Sequence, residues 1–141
     1  MFSNEDQRSK TANIALWVLQ GLLAAMFLMA GMSKLSGQEM MVENFQKIGL
    51  GQWFRYLTGA VEVVAAILLV VPRLSAVGAG LLVCTMIGAS VAHFTTLGGS
   101  AIPPMVLGSM AAIILFGRRH SLFSIVVSRS EDVPESMIKT L

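Results

Sequence analysis

Hydrophobic positions along this chain gather into four long runs with short polar breaks between them. The first, Asn13 to Ser33, is interrupted only by Gln20. The second, Trp53 to Val71, contains Glu62, and the third, Leu74 to Phe94, carries no formal charge apart from any on His93. The fourth runs from Leu97 to Gly117, with Pro103 and Pro104 near its start. Bilayer hydrocarbon is about 30 Å thick, so a helix of roughly 20 apolar residues crosses it. Prolines are tolerated in a first helical turn, where the N–H groups have no partner in the helix anyway. The pattern predicts an all-α fold, a four-transmembrane-helix bundle.

Pro72 and Arg73 leave room only for a tight turn, so the second and third helices form a hairpin. Leu35 to Gln52 is the one substantial loop. In it Glu39, Glu43 and Lys47 alternate with Met40, Met41, Phe45 and Ile48. That alternation predicts a short interfacial helix between helices one and two, broken by Gly49 and Gly51; the plainer alternative is an ordinary polar connection. The domain reading is a polar cytoplasmic N-terminus over 1–12, a four-helix membrane domain over 13–119 and a cytoplasmic C-terminal tail over 120–141. Ser121 to Val127 is apolar but too short to span, and Ser128 to Leu141 is polar and expected to fray.

Composition strengthens the membrane reading. Of 141 residues, 55% are hydrophobic and 13% charged, about half the charged share of soluble domains. One small core cannot hide that much apolar surface from water. The net charge of +2 is small, and the basic residues are divided by apolar runs, so no stripe for nucleic acid forms. Cys84, the single cysteine, excludes an intramolecular disulfide and any CxxC pair. The first run is long for a signal-peptide core, so a retained helix is expected. Orientation follows from the basic residues. Arg8, Lys10, Arg73, Arg118, Arg119, Arg129 and Lys139 fall on one side and Lys34, Lys47 and Arg55 on the other, which puts both termini in the cytoplasm. Trp53 and Tyr56 sit where an interfacial aromatic belt belongs. No transit peptide is evident, and a bacterial plasma membrane is the simplest location.

Helices in lipid associate through close packing and polar contacts. Ala76, Gly80, Cys84, Gly88 and Ala92 recur every four residues and predict a packing groove on the third helix, with Gly59 playing a similar part on the second. In this reading Cys84 is a small packing residue. The ten methionines read as flexible core filling, since only Met40 and Met41 are adjacent and no thioether cluster for metal forms.

Glu62 is the one acidic residue within an apolar run. A charge at mid-membrane costs about 2.5–3.5 kcal/mol on insertion scales and usually faces a bundle interior. At 1.5 Å per residue, Glu62 lies roughly 13 Å beyond Trp53, approaching the midplane from the outer side. Lys34 and His93 end helices that run toward that same side. Gln20, Phe27 and Lys34 repeat at heptad spacing on one face, and Met86, Ala89, Ser90 and His93 share another. Two readings stand. One is an outward-facing polar pocket lined by Glu62, Lys34 and His93, for ligand binding or proton relay. The other is a structural clamp, with Glu62 held by another helix and Lys34 snorkelling to the headgroups. One His and one Glu fall short of a catalytic zinc set. GxSxG, HExxH, P-loop, GxGxxG and CxxCH patterns are lacking, and His93 and His120 fall on opposite sides, unsuited to one haem. No self-contained catalytic motif is present and no cofactor is evident.

Several segments taken in order resemble the DoxX-like family of small four-helix membrane proteins. They are Phe27 to Leu35 (FLMAGMSKL), Phe45 to Leu50 (FQKIGL), Gly59-Ala60-Val61-Glu62, Leu68 to Pro72 (LLVVP), Met86 to His93 (MIGASVAH) and Gly117-Arg118-Arg119. The resemblance covers about Ile14 to Arg119. It implies a four-helix membrane fold with a polar site near Glu62 and Lys34. It also implies redox partners, since some relatives are linked to thiosulfate or quinone oxidation and to oxidative-stress complexes. More distant relatives are membrane chaperones. The expectation is an accessory subunit of a redox or stress-related membrane complex that binds a small ligand such as a quinone. The alternative is an assembly factor or chaperone without a ligand.

Overall fold

The computed structural model describes residues 4–120, together with 122, 123, 127 and 139. Its helices are α1 (Asn4–Ser36), α2 (Glu39–Ile48), α3 (Gln52–Val70), α4 (Ser75–Ala92) and α5 (Ile102–Gly117), with a π-helical turn over His93–Leu97 continuing α4. No strand occurs among the described residues. Apolar runs of this kind fold as helices because lipid offers no partner for a free N–H or C=O. Three segments are long and apolar enough to cross a membrane: Ser9–Ser36, Gln52–Val70 and Ser75–Leu97.

The fourth apolar run differs from expectation. Gly98 and Gly99 take φ of +66° and +76°, a left-handed region open chiefly to glycine, and they end the preceding turn. The helix then starts at Ile102 and has 16 residues, about 24 Å at 1.5 Å per residue. Its prolines do lie in the first turn. At the other end of the chain α1 begins at Asn4, well before the expected Asn13. The polar tail expected over 128–141 lies outside the described residues apart from Lys139.

The loop between the first two long helices contains α2. Phe45 is buried while Glu39, Glu43 and Lys47 are exposed. Gly49 ends this helix at φ +82°, its N–H donating to the Phe45 carbonyl, a left-handed C-cap. The predicted hairpin is present too: α3 and α4 are joined by four residues, and the Ser75 hydroxyl donates to the Val71 carbonyl at 2.9 Å.

α1 packs along α3, α3 against α4, and α4 against α5, while α5 returns to α1. The enclosed core includes Leu23, Phe27, Ala65, Leu69, Leu82, Met86 and Ile114. Two close approaches hold the ring. A Cβ on Gly31 would lie 2.8 Å from the Gly59 carbonyl, and one on Gly78 would lie 2.8 Å from both the Ala65 carbonyl and the Leu69 nitrogen. The small-residue row predicted on α4 is largely elsewhere. A Cβ on Gly80 would touch only Leu115 at 3.9 Å, one on Gly88 would meet nothing within 4 Å, and Cys84 is exposed. An i+4 row drifts by about 40° per step on a 3.6-residue helix. It therefore winds off the packed face that carries Ser75, Ala76, Gly78, Ala79, Leu82 and Met86. Core filling describes Met86 and Met110, whereas Met26, Met29, Met40 and Met105 are exposed.

A buried ion pair beside an apolar cavity

Glu62 sits on the inward face of α3, in register with Gly59, Ala65, Ala66 and Leu69, and is 2% exposed. Lys34 ends the inward row of α1 that runs through Gln20 and Phe27, both buried. The glycine crossing at Gly31 and Gly59 brings these two helices close enough for the pair to form. Lys34 Nζ donates to Glu62 Oε2 at 2.8 Å, with the lysine side chain 14% exposed. The ammonium is therefore turned inward and does not snorkel.

Arg55, about two turns before Glu62, is buried and was not distinguished in the sequence from other outer-side charges. It donates through one terminal nitrogen to the Lys34 carbonyl and through Nε to Gln52 Oε1 at 2.7 Å. Its guanidinium lies 4.3 Å from the Tyr56 ring centroid. Arg55 thus satisfies a carbonyl in the last turn of α1, where intrahelical donors run out. A contact to a backbone carbonyl leaves no pairing signal in sequence.

Beside the ion pair lies a cavity of about 560 Å³. All five helices contribute to its lining, with Phe27, Phe45, Phe54, Met86 and Leu107 among the apolar walls and Lys34, Glu62, Thr58, Asn44 and His93 supplying polar atoms. His93 belongs to the π-helical turn, and its Nδ1 donates to the Gly98 carbonyl at 3.3 Å; whenever the ring is neutral, Nε2 is then an acceptor. Lys34, Glu62 and His93 therefore line one cavity. Gly59 packs α3 on α1 next to it, and Cys84 and Gly88 line it. Gly80 does not.

A second polar cluster ties the opposite end of the bundle. Fully buried Gln20 donates to the Leu69 carbonyl at 2.7 Å and accepts from Arg118 Nε at 2.8 Å. Arg118 also donates to Asn13 Oδ1 at 2.7 Å and lies over the Trp17 ring. His120 follows at this end, far in the fold from His93. No group of three or more His, Cys, Asp or Glu able to hold a metal occurs among the described residues.

Fold and site together define a helical integral membrane protein with a charged pair buried beside an apolar cavity. The family model for the DoxX-like family matches residues 18–116, and the chain belongs to that family. Comparison with curated proteins and with solved structures gave no match.

Proposed function

We propose that this protein is a non-catalytic membrane subunit that binds a lipid-soluble small molecule with a hydrogen-bonding head, a quinone fitting best. The observation that carries the reading is the Lys34–Glu62 pair on the wall of an otherwise mostly apolar cavity of about 560 Å³. Small-molecule sites have this character: mainly apolar walls, a few convergent polar groups and volumes of about 300–1,000 Å³. An ammonium has three donors, so Lys34 can hold a carbonyl oxygen while keeping Glu62. Glu62 accepts or relays a proton, and His93 offers a further acceptor. Electron transfer belongs to a partner in a redox or stress-related complex.

In this reading α5 makes a fourth crossing. Its start lines the cavity with Lys34, and Arg118 just past its end bonds Asn13 and Gln20 near the start of the apolar part of α1. α5 therefore matches α1 over most of the bilayer depth. Both termini are cytoplasmic, the membrane is a bacterial plasma membrane, and α2 lies at the outer interface with its charged face in water.

The test is equilibrium binding of a tritiated, fully ring-substituted benzoquinone with a decyl chain to the protein in nanodiscs. Wild type should bind saturably. The double variant Lys34→Met/Glu62→Gln keeps a neutral, packed pair and should bind at least about tenfold more weakly, since a hydrogen bond to a charged group contributes about 1.5–3 kcal/mol. Unchanged affinity would make the pair a clamp and favour the assembly-factor reading.

A further inference from the structure

The cavity is unevenly enclosed. Leu57 on α3 is 48% exposed, and Cys84 and Gly88 on α4 are exposed as well, yet all three line it. A residue that both lines a cavity and meets the outside stands at an opening; Met26 on α1 and Pro103 on α5 do so as well, and Leu57, Cys84 and Gly88 mark the opening between α3 and α4. The two helices that carry these residues touch near their hairpin, where Gly78 meets Ala65 and Leu69. Farther from the hairpin a Cβ on Gly88 would have open space around it. Antiparallel register from the Gly78 contact puts Leu57 level with Gly88, and Glu62 level with Val83 and Cys84.

That mouth lies at hydrocarbon depth. Within the apolar segment Ser75–Leu97, Cys84 is about 14 Å from one end and about 20 Å from the other at 1.5 Å per residue. The end near Lys34 is covered on one side by α2. α2 puts Met41, Phe45 and Ile48 against the cavity. Phe45 is buried, with its ring 5.9 Å from that of Phe54, and Gln52 Nε2 donates to the Val42 carbonyl at 3.2 Å. Gln52 in turn holds Arg55, so α2 is fastened to α3.

We infer that the cavity is loaded sideways from the bilayer, through a mouth between α3 and α4 rimmed by Leu57, Cys84 and Gly88. The ligand is a lipid-dissolved amphiphile. Its hydrogen-bonding head reaches Lys34 and Glu62, and its hydrocarbon tail remains in the mouth. This inference rests on the binding function proposed above and adds the route of entry and the need for a tail.

Cys84 is the chain's single cysteine, so unmodified protein reports on the mouth directly. In nanodiscs, a pyrene maleimide dissolved in the bilayer should alkylate Cys84 while a sulfonated, water-confined maleimide should not. The decyl benzoquinone should slow that alkylation at least about tenfold; its substituted ring leaves no position for the thiol to add to. Gly88→Leu places a side chain in open space, and it should slow association of the tritiated quinone at least about tenfold while the melting temperature holds. If the quinone binds wild type saturably, but neither protects Cys84 nor binds Gly88→Leu more slowly, the lateral mouth is overturned and the binding function stands. If wild type does not bind the quinone at all, both fall.

Discussion

Removing one member of the Lys34–Glu62 pair separates a satisfied buried charge from a stranded one. At 2.8 Å and an effective dielectric near 20, the gross attraction is about 6 kcal/mol, and it offsets a desolvation cost of several kcal/mol per ion. The net worth of the pair is therefore small, but the single variants should be unequal. Lys34→Met leaves Glu62, 2% exposed, without a counter-charge and should cost about 3–5 kcal/mol. Glu62→Gln leaves an ammonium whose side chain is already 14% exposed and whose stem can swing to the headgroups. It should cost about 1–2 kcal/mol, less than a trapped charge. The double variant should lie within about 1 kcal/mol of wild type, because neutral replacement of a buried pair is often neutral or stabilising. Equilibrium unfolding in mixed micelles, followed by the fluorescence of Trp17 and Trp53, gives all three values. Additive costs, or a Lys34→Met variant within about 1 kcal/mol of wild type, would refute the reasoning.

Other perturbations follow from the same geometry. Gly31→Ala drives a methyl to 2.7 Å from Val63 Cγ2 and 2.8 Å from the Gly59 carbonyl, and should cost about 1–3 kcal/mol as overpacking. Gly88→Ala, with nothing within 4 Å, should be neutral or stabilise by up to about 1 kcal/mol; the reverse order in the same unfolding assay would contradict the packing described. Arg118→Leu strips Gln20 Oε1 of its donor and should cost about 1–3 kcal/mol, whereas an unchanged unfolding midpoint would show the cluster to be idle. Single cysteines at Gln46 and Arg119 on a Cys84→Ser background test orientation. An impermeant maleimide added to intact cells should label the first and spare the second, and the opposite pattern would invert the topology.

Much of this was legible in the sequence because lipid enforces regular helices and the interruptions are chemically conspicuous. Glu62 stands alone in an apolar run, and heptad spacing puts Gln20, Phe27 and Lys34 on one face, the face that is buried. What the sequence obscured is contact that depends on rotation and on backbone. The i+4 row through Cys84 pointed at the wrong face of α4, because a small-residue row marks a groove only while it stays in phase with the helix. Gly31, by contrast, has no partner glycine four residues away, but it makes the tightest crossing with α3. Arg55 and Arg118 gave only their charge. Their partners are a backbone carbonyl, a buried amide and an asparagine, none of which announces a pairing. The fourth run read as a full-length span because Gly98 and Gly99, which take positive φ, carry no charge to mark the break.

The two polar clusters constrain how the molecule can work. Lys34 and Glu62 lie toward the α2 end, while Gln20, Arg118 and Asn13 lie at the other. Between them Leu23, Phe27, Ala65, Ala66, Leu69 and Leu82 are each buried to within a few per cent of completely. Those six side chains are apolar and offer no polar atom as a stepping stone through that plug. A solute or proton that reaches Glu62 therefore meets a packed apolar wall, and passage through the bundle would require the core to come apart. A blind cavity of this kind suits a molecule that enters, is held by its head, and leaves the way it came. That geometry fits the binding subunit proposed above, and it is why loss of the mouth, more than loss of the opposite cluster, should abolish function while the fold persists.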